Sequence, residues 1–316
     1  MKLLSYLDRG AHRLGVLVQD RVVDLDDIAD GLELPSEVQA AYGRSGGPLP
    51  RERMARLLAG GSAALEQVAR RVADRGTNRA GVPLSGLVLL PPVPRPGKIV
   101  AIGRNYADHA KETGVDPFEK PRVIAKLPSS ALAHDAVVRP PADVRKLDFE
   151  AELGVVIGRH TRDATGASAL AAVAGYTVLN DISAREFQFD VSPPQTTFAK
   201  SMDGFCPMGP WLVTADEIAD PQRLDLRCWV NDLLVQSAST SDMIFPVARL
   251  IEYITAFMTL EPGDVIATGT PAGVGAFRKP PQWLQPDDRV RIEITGVGVL
   301  ANRIGAPQSN FKEETA

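Results

Sequence analysis

Hydrophobic and polar residues alternate along the first 25 positions, and this alternation predicts a β-hairpin. The apolar segments 14–18 and 22–25 flank a polar turn at 19–21, and a period of two residues is typical of strands with one buried face. Residues 51–75 show a different pattern, in which apolar residues recur at near-helical spacing between Arg and Glu residues. This second pattern predicts an amphipathic helix.

A proline-rich segment follows at residues 81–97, and such a density of proline is typical of a domain boundary or a rigid linker. We therefore predict a small N-terminal domain over residues 1–80, a linker over 81–97 and a main domain over 98–306. The polar residues 307–316 are predicted to form a flexible tail.

Beyond residue 98, short apolar segments between Pro and Gly turns predict mostly β structure. The predicted strands are 98–102, 151–157, 264–267 and 290–294, and the predicted helices are 106–113, 167–174 and 247–259. This pattern assigns the chain to the α+β class, with strands dominating.

The composition argues against several classes of function. The 316 residues carry a formal net charge of −4, and no run of Lys and Arg is interleaved with aromatic residues, which argues against a nucleic-acid partner. No apolar stretch is long enough for a transmembrane helix, and charges close to Met1 argue against a signal peptide. The two cysteines, Cys206 and Cys228, fit a reducing compartment. We therefore expect a cytoplasmic protein without a membrane partner.

Three alternating acidic residues, Asp148, Glu150 and Glu152, form the most informative motif. If one strand runs from residue 148 to 157, their side chains lie on the same face. Like charges this close disfavour one another unless a cation lies among them, and hard divalent cations prefer carboxylate oxygens. Asp181, at the end of an apolar segment, is a further candidate ligand. The alternative is a solvated acidic face on an edge strand, with Asp181 capping a turn.

Six motifs in register resemble the fumarylacetoacetate hydrolase family over about residues 98–302. They are Gly103-Arg104-Asn105-Tyr106-Ala107-Asp108-His109, Asp148-Phe149-Glu150-Ala151-Glu152-Leu153, Asn180-Asp181-Ile182-Ser183-Ala184-Arg185 with Gln188, Ala199-Lys200-Ser201, Gly209-Pro210-Trp211 and Thr268-Gly269-Thr270-Pro271-Ala272-Gly273-Val274-Gly275. The resemblance implies strands rolled around a barrel-like core, the small N-terminal domain of bacterial members, and a homodimer. It also implies a Mg²⁺ or Mn²⁺ ion held by Glu150, Glu152 and Asp181, with Ca²⁺ as a substitute in crystals.

The resemblance further implies a small oxo-acid substrate. Such an acid offers a carboxylate and a keto oxygen to a divalent cation, which acts as a Lewis acid and stabilises an enolate. In this scheme Lys200 adds positive charge beside the metal, and Gln188 positions substrate or water. Without the motif, Lys200 would be taken for a surface lysine.

His109 and Glu112 form a second candidate group. They lie three positions apart in the predicted helix 106–113, so their side chains are neighbours. A carboxylate beside an imidazole raises its basicity, and the pair could deprotonate an attacking water. Hydrolytic members of the family that the chain resembles carry such a dyad on a lid segment. The alternative is a surface salt bridge.

The glycine-rich segment 268–275 lacks the Lys-Ser/Thr ending of a phosphate-binding loop. Its backbone N–H groups and the hydroxyl of Thr270 are predicted to bind a substrate carboxylate instead. Arg104, Tyr106 and Arg185 are further candidates for substrate binding. Arg185 could grip a carboxylate through two guanidinium nitrogens, or it could hold the metal-ligand loop in place.

The leading functional hypothesis is divalent-metal-dependent hydrolysis of a C–C bond in an acylpyruvate-like β-diketo acid through a metal-bound enolate. The alternative keeps the metal and moves only protons or CO₂. It corresponds to an isomerase, tautomerase or decarboxylase of an oxo diacid, similar to 2-hydroxyhepta-2,4-diene-1,7-dioate isomerase or to an oxaloacetate tautomerase or decarboxylase. A catalytically silent binding protein is disfavoured, because Lys200 and every predicted metal ligand are present.

Overall fold

The computed structural model describes residues 1–33, 36, 39–40, 52–74 and 81–308. The predicted flexible tail lies outside this part of the chain from residue 309 onward. The described residues form an α+β fold in which strands dominate, as the sequence predicts. In these ranges no helix is long and apolar enough to cross a membrane.

The strands are short and are spread over the whole described chain. They are β1 (Lys2–Asp8), β2 (Ala11–Val18), β3 (Arg21–Asp24), β4 (Val82–Pro83), β5 (Val88–Leu89), β6 (Ile99–Gly103), β7 (Arg122–Lys126), β8 (Ala131–Leu132), β9 (Val137–Val138), β10 (Leu147–Asp148), β11 (Ala151–Ile157), β12 (Val173–Asn180), β13 (Ser183–Ala184), β14 (Cys206–Thr214), β15 (Asp225–Val230), β16 (Leu233–Ser239), β17 (Val265–Ala267), β18 (Arg289–Ile294) and β19 (Gly298–Ile304). The four strands predicted beyond residue 98 are all present within one or two residues of their predicted ends.

The helices are also short. They are α1 (Asp26–Gly31), α2 (Arg53–Ala59), α3 (Gly61–Asp74), α4 (Ala107–Glu112), α5 (Ala167–Ala171), α6 (Thr196–Lys200) and α7 (Val247–Thr255). The last turns of the predicted helices 167–174 and 247–259 are absent, because β12 begins at Val173 and the chain leaves α7 after Thr255.

The N-terminal prediction is confirmed for the hairpin and corrected for the helix. β2 and β3 pair antiparallel around the expected polar turn, with Val18 opposite Arg21. The helical pattern of residues 51–75 forms two helices, of which α2 begins after the N-cap Glu52; positions 51 and 75 lie outside the described residues. The break falls at Gly61, whose φ of 60° is in the left-handed region that favours glycine.

One large sheet joins the N-terminal strands to the rest of the chain. Its strand order is β4-β3-β2-β1-β14-β12-β11-β17-β6-β7, with β5 on β1 and β8 on β14. The proline-rich segment 81–97 thus supplies two short strands, β4 and β5, which pair with β3 and β1. The division into domains stays a prediction.

A second sheet, β16-β15-β18-β19-β9, packs against the large one. The central strand β11 is buried on both faces. Leu153, Val155 and Ile157 belong to the core that includes the second sheet, whereas Val156 belongs to the core around α2 and α3. Both sheets are open along their described strands, and the candidate site lies where β11 begins and β12 ends.

Candidate active site

Three carboxylates lie together where two paired strands meet. Glu150 immediately precedes β11, Glu152 is the second residue of β11, and Asp181 follows the last residue of β12. The antiparallel register pairs Glu152 with Leu179, which brings the start of β11 beside the end of β12. One oxygen from each carboxylate lies within 4.8 Å of the others, and all three side chains are buried. These are the three residues predicted to bind a metal ion.

Asp148 does not belong to this group, although the sequence analysis placed it on the same face of one strand. The strand is interrupted between β10 and β11, so the alternation does not extend back to residue 148. The carboxylate of Asp148 accepts hydrogen bonds from the N–H groups of Gly275 (2.7 Å) and Ala276 (3.0 Å). It also accepts one from Nε of Arg185 (2.8 Å). The predicted continuous acidic strand is therefore wrong at its first residue.

Two buried lysines neutralise part of the charge of the carboxylates. Nζ of Lys200, the last residue of α6, lies 2.8 Å from an oxygen of Glu150 and 2.8 Å from an oxygen of Asp181. Nζ of Lys126, the last residue of β7, lies 2.7 Å from the other oxygen of Asp181. Lys126 also donates to the backbone carbonyl of Lys200. Asp181 is therefore held between two ammonium groups.

Burial and charge shift the pKa values of this group in opposite directions. Burial and the carboxylates of Asp181 and Glu150 raise the pKa of Glu152 well above its ordinary value. Burial acts on Glu150 in the same sense, but Lys200 and Arg185 outweigh it and hold the pKa of Glu150 at about 2. The positively charged side chains of the site therefore stabilise the ionised form of Glu150 but not that of Glu152. Hard divalent cations prefer such a cluster of carboxylate oxygens, so the residues present fit the predicted metal.

Arg185 connects the acidic group to the wall of the cavity. Its Nη2 lies 2.7 Å from Glu150, and its Nη1 donates to the side-chain oxygen of Gln188 at 2.8 Å. Gln188 lies in a π-helical turn at Glu186–Asp190. Protein groups thus engage three nitrogens of the Arg185 guanidinium, which links Asp148, Glu150 and Gln188, and its role in substrate binding stays a prediction.

His109 and Glu112 face each other on α4. Nδ1 of His109 lies 2.7 Å from a carboxylate oxygen of Glu112. Glu112 also accepts a hydrogen bond from the N–H of Gly273 at 3.0 Å, which ties α4 to the glycine-rich segment. The ring of Phe277 packs edge-on against His109, with 6.1 Å between the ring centroids. His109 is buried, so this pair is not a surface salt bridge.

The glycine-rich segment 268–275 binds carboxylates of the protein itself. Its N–H groups donate from Gly269 to Glu152 (2.8 Å), from Gly273 to Glu112 (3.0 Å) and from Gly275 to Asp148 (2.7 Å). The prediction that the N–H groups bind a substrate carboxylate is therefore wrong for these three. The predicted role of Thr270 in substrate binding is compatible with its contacts. Its hydroxyl accepts a hydrogen bond from Gln236 and can still donate its own proton to a ligand.

A cavity of about 230 Å³ joins these groups. The predicted residues that line it are Arg104, His109, Glu150, Asp181, Arg185, Gln188, Lys200 and Thr270. Glu112 and Glu152 do not line it themselves: Glu112 contacts the lining residue His109, and Glu152 accepts a hydrogen bond from Gly269, the residue before the lining residue Thr270. Tyr106 is the exception, because it lies in the hydrophobic core and does not line the cavity.

Three residues of the site escaped the sequence analysis: Arg122, Lys126 and Gln236. Arg122 lines the cavity, and Gln236 links Thr270 to the N–H of Ala151 at the start of β11. The alternation in β7 was an available signal, because it places Arg122 and Lys126 on the same face of the strand. Gln236 gave no signal, since its partners lie 34 and 85 positions away.

Known proteins resemble this chain over most of its length. Residues 98–305 match the family model described as fumarylacetoacetate (FAA) hydrolase C-terminal. A mitochondrial oxaloacetate tautomerase of Bos taurus is 42% identical over 252 residues, which cover 79% of this chain and 79% of the relative.

Two solved structures share the fold along nearly the whole chain. Maleylpyruvate hydrolase from Sphingobium sp. SYK-6, in complex with manganese(II) and pyruvate, has a TM-score of 0.75 and 32% identity; the match covers 98% of this chain and all of that one. The 2-hydroxyhepta-2,4-diene-1,7-dioate isomerase from Mycobacterium marinum has a TM-score of 0.70 and 30% identity, covering 97% of this chain and 98% of that one.

Proposed function

The chain belongs to the fumarylacetoacetate hydrolase family, and on this premise we propose that it is a divalent-metal-dependent tautomerase of a small oxo diacid of the oxaloacetate type. The tautomerase of Bos taurus is 42% identical over 79% of this chain, whereas the hydrolase and the isomerase of known structure are 32% and 30% identical over 98% and 97% of it. The likeness to a tautomerase supports the alternative of the sequence analysis over C–C bond hydrolysis.

The observation that carries the proposal is the position of His109. It lines the same cavity as Glu150, Asp181 and Lys200, and the carboxylate of Glu112 contacts its Nδ1. A carboxylate at Nδ1 favours the tautomer in which Nδ1–H donates a hydrogen bond to it, and Nε2 is then the unprotonated nitrogen that can act as a base. The cavity therefore contains one oriented base.

Keto–enol interconversion needs one such base. The C–H bond beside the keto group breaks and its proton passes to His109, and a proton from the imidazolium or from water then forms the O–H bond at the former keto oxygen, so that no proton is gained or lost overall. The reverse reaction returns the proton to carbon. A divalent cation held by Glu150, Glu152 and Asp181 would supply Lewis-acid polarisation of the keto group. The ammonium of Lys200 keeps positive charge at this end of the cavity, which favours binding of an anionic substrate.

The size of the cavity also supports a small substrate. Sites for drug-sized ligands occupy about 300–1,000 Å³, and the cavity here has about 230 Å³. An acid of four or five carbons fits this space. We propose Mg²⁺ or Mn²⁺ as the ion, since both accept an all-oxygen site. A homodimer and a cytoplasmic location stay predictions.

The second candidate is hydrolysis of a C–C bond in an acylpyruvate-like acid. It is favoured by the same His109–Glu112 pair, because an oriented imidazole can also take a proton from an attacking water. The likeness to maleylpyruvate hydrolase supports it as well.

One assay separates the two candidates. The purified protein is incubated with Mg²⁺ and each acid in turn. Ketonisation of the enol form of oxaloacetate is monitored by ultraviolet absorbance, and the products from acetylpyruvate and fumarylpyruvate are identified by NMR. We expect rapid ketonisation that EDTA abolishes and that His109→Gln slows by about 10²–10⁴-fold. His160→Gln, at a histidine that does not line the cavity, should retain activity.

Other products would change the conclusion. Acetate or fumarate appearing with pyruvate, without ketonisation, would establish the second candidate. No reaction with any of the three acids would refute both.

A further inference from the structure

Two arginines of the cavity wall have no acidic partner among the residues that the structure describes. The cavity is lined by the cations Arg104, Arg122, Arg185 and Lys200. Arg185 and Lys200 are each paired with carboxylates at 2.7–2.8 Å. The side chains of Arg104 and Arg122 form no ion pair and no hydrogen bond with any residue in the described ranges. Both guanidinium groups instead flank the ring of Phe118, with their carbons 5.5 Å and 6.0 Å from its centroid.

The sheet register places these arginines beside the carboxylate group. Gly154 is opposite Ala267, and Ala267 is opposite Ala101. Two residues further along these strands, the same register brings Glu152 level with Gly269 and Gly269 level with Gly103. Arg104 is the residue after Gly103. Because β17 alone separates β11 from β6, the two strands lie roughly 10 Å apart, at about 4.8 Å per strand. A short diacid can span the remaining distance between the carboxylate group and an arginine side chain.

The backbone holds Arg104 in an unusual conformation. Its φ is 56°, in the left-handed region that non-glycine residues adopt only uncommonly. The next residue anchors the backbone at this point, because the side-chain amide of Asn105 donates to the carbonyl groups of Phe245 and Thr268 and its oxygen accepts from the N–H of Phe245. The direction in which Arg104 leaves the strand is therefore fixed.

The neighbouring strand fixes Arg122 in the same place. Arg122 is directly opposite Gly103 in the β6–β7 pair. A Cβ built on Gly103 would lie 3.4 Å from Cδ of Arg122, so the arginine side chain lies across the glycine. Two guanidinium groups are thus held beside one aromatic ring without a carboxylate between them. Like charges in this arrangement repel each other, and a bound anion removes the repulsion.

We infer that Arg104 and Arg122 form the subsite for the second carboxylate of the substrate, so that this cavity selects oxo diacids over oxo monoacids. This inference rests on the proposed function for the orientation of the substrate, whose oxo-acid end lies at the carboxylate group. The planar fork of a guanidinium matches a carboxylate in shape and charge, and two forks can engage both of its oxygens.

A matched pair of ligands tests the subsite without any turnover. 2-Oxoglutarate and 2-oxopentanoate have the same five-carbon chain and differ in the terminal carboxylate. Their dissociation constants are measured by titration calorimetry with Mg²⁺ present, for the wild type, Arg104→Gln and Arg122→Gln. We expect the wild type to bind 2-oxoglutarate more tightly than 2-oxopentanoate. Each variant should bind 2-oxoglutarate roughly tenfold more weakly than the wild type does, because one charge-assisted hydrogen bond is lost. Binding of 2-oxopentanoate should not change.

Control variants separate the subsite from a general effect of charge or folding. Arg223→Gln removes an exposed arginine paired with Asp220 and should leave both dissociation constants unchanged. Arg122→Lys keeps the charge and loses the fork, so it should recover only part of the preference. A wild type that binds both acids equally, or variants that weaken both acids equally, would overturn the inference. Failure of the ketonisation assay, with the preference intact, would refute the proposed function and leave the subsite standing.

Discussion

Asp148 and Asp287 offer a direct measurement of what burial contributes to an ion pair in this protein. Each lies 2.8 Å from an arginine, Arg185 and Arg303 respectively. The side chains of the first pair are 0% and 2% exposed, whereas those of the second are 83% and 45% exposed. Replacing each aspartate by asparagine removes one carboxylate charge that lies 2.8 Å from a guanidinium nitrogen, in one case buried and in the other exposed.

The structure sets the size of the expected effect. Asp148 accepts hydrogen bonds from Arg185 and from the N–H groups of Gly275 and Ala276. An asparagine keeps one accepting oxygen and turns an amide toward the other donors. Removing one partner of a buried ion pair costs roughly 3–5 kcal/mol. We expect Asp148→Asn to lose about 3 kcal/mol, the low end of this range, because Arg185 retains Glu150 as a second partner at 2.7 Å.

Urea unfolding in the presence of EDTA measures this loss, since bound metal would otherwise add its own stabilisation. Asp287→Asn should leave the unfolding midpoint almost unchanged, because exposed ion pairs contribute little. A loss for Asp148→Asn below about 1 kcal/mol, within the range of an ordinary substitution, would show that this pair does not hold the glycine-rich segment in place.

Two further predictions concern the metal. Burial and two neighbouring carboxylates raise the pKa of Glu152, so below that raised pKa the metal-free protein holds a proton there, which it releases when a cation binds. The apparent affinity for Mg²⁺ should therefore rise with pH up to that raised pKa. The heat of Mg²⁺ binding, measured by calorimetry, should also differ between buffers of different ionisation enthalpy, because the released proton is taken up by the buffer. The same binding heat in every buffer would contradict a protonated Glu152. Glu150→Gln and Asp181→Asn each remove a carboxylate oxygen from the group. Each should weaken Mg²⁺ binding by about 100-fold or more, because losing a direct ligand should cost at least as much as losing a residue that only contacts a ligand. Asp287→Asn should leave Mg²⁺ binding unchanged. Normal Mg²⁺ binding by both Glu150→Gln and Asp181→Asn would reject the site.

The sequence by itself determined the local elements and the chemical character of the site. A short apolar segment between turns predicts β11, which the structure buries on both faces, and alternation predicts the hairpin of β2 and β3, because a strand with one buried face repeats its apolar positions with a period of two. Its place at the end of an apolar segment makes Asp181 a candidate ligand beside Glu150 and Glu152, and the motif resemblance adds Lys200; the structure places all four side chains together.

The tertiary structure decided which polar groups meet. Asp148 leaves the acidic face because the strand breaks after β10, and the N–H groups of the glycine-rich segment bind protein carboxylates that lie more than 100 positions away. Arg122 and Lys126 enter the site because β7 pairs with β6 at the edge of the large sheet. A periodic pattern reports which face of an element is buried, but strand pairing between distant segments sets the partners on that face.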